Sequence, residues 1–222
     1  MYPEPAPYES AGEPATPRAP HIGLNFYSRE AFRLAAGLAT SCVTVFGRGP
    51  TRGLVERRKA QFGASCVFLN HTLGEGDCTS PTWLNVAHAI DFDAADRCEP
   101  AGMSFLLLPE KLHVNLSRHE AIPVPDALVE KWSGRVVTYR AGYGTVPVAA
   151  TGALQVQHCS AEPVFDLLCR LGVTHIVSYG VGIGEGRDAR WADEPLGLSS
   201  YTRSAEVLLD ICRRHSVVWE AR

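Results

Sequence analysis

The chain has 222 residues, 45% of them apolar and 20% charged, which suits one large α/β core and argues against a disordered or fibrous protein. Its net charge of −3 lacks the basic field that a DNA or RNA partner requires. No run reaches the roughly 18 apolar residues needed to span a bilayer, and no basic segment followed by an apolar stretch opens the chain. It reads as a soluble, cytoplasmic protein with no membrane span and no nucleic-acid partner, and nothing in it excludes a homo-oligomer.

Residues 1–20 carry five prolines among Glu, Ser, Ala and Gly, a composition that buries too little surface to offset its ordering entropy. They read as a flexible tail ahead of a single domain over 21–222. Ala31, Phe32, Leu34, Ala35 and Leu38 recur at helical spacing, with Ser28 as N-cap and Gly37 near the end. Cys42 to Phe46 is a short β-branched run, expected to be a buried strand that stops at Gly47-Arg48-Gly49-Pro50. Thr51 caps an expected helix to about Phe62, and Ala64 to Leu69 forms the next strand. Strand, glycine turn, helix and strand make the first half of a doubly wound sheet.

Farther on, Asn85 to Phe92 and Met103 to Leu108 read as strands, the second closed by Pro109. Residues 109–134 are rich in Pro, His and charge, with a helical turn or two at Asp126 to Trp132. Arg135 to Arg140 alternates as a strand does, and Ala141 to Ala150, with Gly142, Gly144 and Pro147, reads as a loop. Ala153 to Gln157 is either extended or the start of a helix. Ser160 and Glu162 are expected to cap a helix through Leu171, stopped by Gly172. His175 to Tyr179 is a strand, Ser200 to His215 an amphipathic helix, and Ser216 to Trp219 a last strand. The seven cysteines, an odd number with no Cys-x-x-Cys pair, read as reduced, mostly buried thiols without zinc spacing, and no metal site is assigned.

Four constellations carry candidate chemistry. At Gly47, Arg48, Gly49, Pro50 and Thr51, a strand ends in two glycines before a helix. Backbone N–H groups and the helix dipole there suit a phosphate, and Arg48 adds a cation. The turn is neither the full GxGxxG fingerprint nor a P-loop. Asn70 and His71 follow the second strand, where ligands sit in open parallel sheets; Asn70 suits a base or ribose, and His71 an acid or base. Ser160 stands at a helix start, positioned for phosphate. The run from Gly182 through Gly184, Glu185, Arg187, Asp188 and Arg190 to Trp191 suits a loop lying on a ligand. Its arginines would clamp a diphosphate, and Glu185 or Asp188 would hold Mg²⁺ or act as a base. His113 and His119 lie in the polar segment after Pro109 as further candidate bases.

The order of these motifs resembles the sialyltransferase-like and 6-hydroxymethylpterin-diphosphokinase-like Rossmann proteins. The resemblance lies in Val-Thr-Val-Phe-Gly-Arg-Gly-Pro-Thr, Cys-Val-Phe-Leu-Asn-His-Thr, the Ser-started helix ending in Cys-Arg-Leu-Gly, and His-Ile-Val-Ser-Tyr-Gly-Val-Gly. It covers roughly residues 40–72 and 155–220. It implies transfer from a nucleotide-activated donor, with phosphate on Gly47, Gly49, Pro50 and Thr51, the nucleotide on Asn70, and Ser160 near the phosphates. The chain departs from that pattern where Thr51 replaces Ser, Ala161 replaces the Gly after Ser160, and Gly182 stands where an Asp is expected.

The expected fold is therefore Rossmann-like α/β, a mostly parallel sheet with helices on both faces. The expected function is glycosyl transfer from a nucleotide-sugar, with His71, His113, His119, Glu185 and Asp188 as candidate catalytic groups. A diphosphokinase of the same fold, using ATP and Mg²⁺, is one alternative. A nucleotide-binding sensor or structural subunit without turnover is another.

Overall fold

A computed structural model describes residues 28–49, 65–70, 84–115, 120–143, 152–156, 159–181 and 201–222. Seven strands form one sheet: β1 (Cys42–Phe46), β2 (Ser65–Leu69), β3 (Leu84–His88), β4 (Phe105–Pro109), β7 (Val136–Tyr139), β10 (His175–Tyr179) and β11 (Val218–Ala221). Their order is β11-β10-β1-β2-β3-β4-β7, and every pairing is parallel. The composition of the inner strands explains this. All five residues of β2 and of β4 are buried, as are the last four of β1, so both faces need cover.

The cover comes from helices on both faces. Helices α1 (Arg29–Leu38), α4 (Ala161–Arg170) and α5 (Tyr201–Arg214) supply side chains to one core with Val43, Val45, Val67, Val86 and Leu107. Helices α2 (Phe92–Arg97) and α3 (Asp126–Lys131) supply the other, with Phe46, Phe68, Leu106 and Leu108. The fold is Rossmann-like α/β. Chain order reverses at β1, which has β2 on one side and β10 on the other. This is the switch point where ligands bind in open α/β sheets, outside the carboxyl ends of the strands.

Local signals account for the element ends. Ser28 caps α1 by accepting the Ala31 amide at 3.0 Å, as its sequence position implies. Gly37 lies inside α1, and the helix ends at Ala39. Gly172, at φ +81°, ends α4.

Several expectations are corrected. The strand expected over Asn85 to Phe92 stops at His88, because Asp91 accepts the Ala94 amide at 2.7 Å and starts α2. The segment after Pro109 holds an antiparallel hairpin, β5 (Lys111–Asn115) with β6 (Glu120–Pro123). The start of the expected loop at Ala141 is strand β8 (Ala141–Tyr143), paired in parallel with β9 (Leu154–Val156), which settles the extended alternative for that segment. These strands are only three to five residues long, and each pairs with its partner strand rather than with the seven-stranded sheet. The expected tail at 1–20 and the expected helix from Thr51 to Phe62 lie outside the described residues.

Candidate functional site at the carboxyl edge of the sheet

Two glycine loops meet at the switch point. Gly47 donates its amide to the Tyr179 carbonyl at 2.8 Å, and Gly49 donates to the Gly180 carbonyl at 2.9 Å. Neither glycine could carry a side chain. A Cβ on Gly47 would collide with the Gly180 carbonyl oxygen, and one on Gly49 would lie 2.9 Å from it. Gly180 itself has φ +66°, and a Cβ there would lie 2.7 Å from the Gly49 nitrogen. The glycines thus let two backbones interlock. Their amides are engaged by the neighbouring strand and its loop, so the phosphate-binding role expected of the turn does not fall to these two donors. Beneath the loops, Phe68, Phe46 and Tyr179 stack across β2, β1 and β10, with ring centroids 4.9 Å and 5.9 Å apart.

One strand over, Asn70 follows β2 at φ +50°, a left-handed conformation that asparagine tolerates better than most residues. Its amide donates to the His88 carbonyl at 2.7 Å, extending the β2–β3 ladder by one bond. The turn sends its side chain toward α4, where Nδ2 donates to the Ser160 hydroxyl at 2.8 Å. Asn70 Oδ1 is buried with no hydrogen-bond partner among the described residues, an acceptor that a ligand N–H or O–H would satisfy.

Ser160 does not cap α4. Its backbone is already helical, at φ −67° and ψ −13°, whereas a cap needs an extended conformation to aim its oxygen at the first amides. The Glu162 carboxylate takes that role in part, accepting the Cys159 amide at 3.2 Å. Two residues singled out from the sequence, ninety positions apart, therefore join β2 to α4. A buried clip holds α4 in place. Asp166 pairs with Arg170 through two bonds of 2.8 and 2.9 Å and also accepts the Gln155 amide, while Arg170 donates to the Ala153 carbonyl.

Polar rings occupy the carboxyl ends of β3 and β7 and the short strands that follow β4 and β7. His88, the last residue of β3, is fully buried, with Nε2 3.0 Å from the Tyr139 hydroxyl. Burial pushes its imidazole down to about 3, so it is neutral, and burial raises the Tyr139 phenol above its ordinary range, with Tyr143 a lesser contributor. His113 on β5 donates its backbone amide to the Ile90 carbonyl, which anchors it just past the end of β3. Its Nε2 lies 2.8 Å from the Tyr143 hydroxyl, with the rings edge to face at 5.0 Å. Tyr143 ends β8, is half exposed, and pairs in register with Val156, four residues before Ser160. His88, Tyr139 and Tyr143 carry no sequence motif; a histidine ending an apolar strand was the one available signal.

The structure thus places Gly47, Arg48, Gly49, Asn70, His113 and Ser160 at the carboxyl edge. Pro50, Thr51, His71, His119, Gly182, Gly184, Glu185, Arg187, Asp188 and Arg190 lie outside the described residues. No family model matches the chain, and neither a curated protein nor a solved structure matches it.

Proposed function

We propose that this protein is a transferase that takes a nucleotide-activated donor at the carboxyl edge of the sheet, beside the switch point, and transfers its glycosyl group. The observation that carries the reading is the Asn70–Ser160 pair, which stands where open α/β sheets bind nucleotides and leaves the Asn70 oxygen ready for a hydroxyl or N–H of the ligand. A ribose or base offers such donors. The interlocked glycines support the wall of the site rather than the phosphate, so the charge of the leaving nucleotide's phosphate falls to other groups, with Arg187 and Arg190 the sequence candidates.

Thermal melting with CMP, UDP, GDP and ATP, each with and without Mg²⁺, tests the reading. Ligand at about a hundred times its Kd stabilises by about 2.7 kcal/mol, a shift of several degrees for a chain of this size. A rise with CMP or UDP supports sugar transfer. A rise only with ATP and Mg²⁺ replaces it with the diphosphokinase reading. No rise with any nucleotide, in a folded sample, overturns it.

A further inference from the structure

We propose that Tyr143 and His113 form a proton-accepting dyad that activates the acceptor hydroxyl, an inference that rests on the donor reading above. Of the four histidines among the described residues, His175 begins β10 and His215 follows α5, so both lie toward the amino edge of the sheet. His88 stands at the carboxyl edge but is sealed in the core. His113, at that edge, is itself partly exposed, and its Nε2 bonds the half-exposed Tyr143. The two residues come from separate units, the β5–β6 hairpin and the β8–β9 pair. Their 2.8 Å bond holds together the elements that end β4 and lead into α4.

The step balances without a further reagent. The acceptor O–H breaks, and its electron pair stays on the oxygen, which bonds to the anomeric carbon of the donor. The bond from that carbon to the nucleotide phosphate breaks, and the nucleotide leaves with the pair. The acceptor proton passes to Tyr143 Oη while the phenol proton passes to His113 Nε2, so no free tyrosinate forms. That concerted transfer suits a phenol whose acidity burial weakens. Tyr143 is the catalytic residue because it meets the acceptor; His113 acts through it.

The relay requires His113 to carry its proton on Nδ1 and to accept at Nε2. Two-bond proton–nitrogen correlation spectra, assigned with His113→Asn, read this directly without any donor. The expected signature is an unprotonated Nε2 whose resonance moves in Tyr143→Phe; a proton on Nε2 at neutral pH overturns the dyad. The second arm measures nucleotide release in water from CMP-N-acetylneuraminate and UDP-glucose, beside calorimetric binding of CMP and UDP. Tyr143→Phe and His113→Asn are expected to bind as the wild type does and to release nucleotide about 100-fold more slowly or worse, the scale of a lost general base. Variants that bind normally and turn over within about threefold of wild type overturn the dyad alone. A wild type that binds neither nucleotide overturns the donor reading and the dyad's role with it.

Discussion

Gly49 and Gly180 face each other across the switch point, the amide of one donating to the carbonyl of the other at 2.9 Å. The contact leaves no room for a Cβ on either residue. Gly47→Ala and Gly180→Ala are therefore expected to destabilise the fold by about 3 kcal/mol or more, from overpacking against backbone that cannot yield and, at Gly180, from left-handed strain. Gly172 is the internal control. It also has positive φ, but a Cβ there meets nothing within 4 Å, so Gly172→Ala should cost only about 1 kcal/mol. Urea unfolding of the three variants separates the cases; losses at Gly47 and Gly180 no larger than at Gly172 would show that the interlocked backbones can yield to a Cβ.

Asn70 combines a backbone role with a recognition role, and the two can be divided. Asn70→Gly keeps the left-handed turn and removes the carboxamide. It is expected to stay within about 1 kcal/mol of wild-type stability while weakening nucleotide binding about tenfold, the effect of about 1.4 kcal/mol. Isothermal titration with the nucleotide that raises the melting temperature checks this. Undiminished affinity in a folded Asn70→Gly protein would remove Asn70 from the site.

His88 gives the fold a pH dependence whose sign follows from its burial. Its folded pKa of about 3 lies below the value near 6.5 of an exposed histidine, so the unfolded chain takes up the proton first as the pH falls. Stability from this residue is complete above a pH of about 6.5 and is lost toward 3, at about 1.4 kcal/mol per pH unit. Denaturation between about pH 7 and pH 4 should show a slope flatter by that amount in His88→Gln. Identical slopes would mean that His88 does not stay neutral in the fold.

Asp166 and Arg170 form the buried clip between α4 and β9, and removing one charge should be far worse than removing both. Asp166→Ala is expected to cost about 3–5 kcal/mol, because a largely buried guanidinium loses its carboxylate and the Gln155 amide loses its acceptor. The double change Asp166→Leu with Arg170→Met should recover part of that loss. A double variant no more stable than Asp166→Ala would show that the clip acts through its backbone bonds rather than its charges.

The sequence by itself determined the strands and helices that build the layers. Five-residue runs bounded by glycine or asparagine became β1, β2 and β10, and Ser28 started α1 where an N-cap belongs, since these signals act within a few residues of chain. It also marked Asn70 and Ser160 separately. Only the tertiary structure decided that they meet, because the order of strands in the sheet brings the end of β2 to the start of α4 across ninety positions. The same holds for Gly49 with Gly180 and His113 with Tyr143. It holds too for the work the glycines do, which depends on what lies opposite a missing Cβ and is written nowhere in the local pattern. The hairpin β5–β6 and strand β8 were illegible, and β9 was left open between strand and helix, for a related reason: each strand is too short to show a period and is stabilised by a partner that only folding supplies.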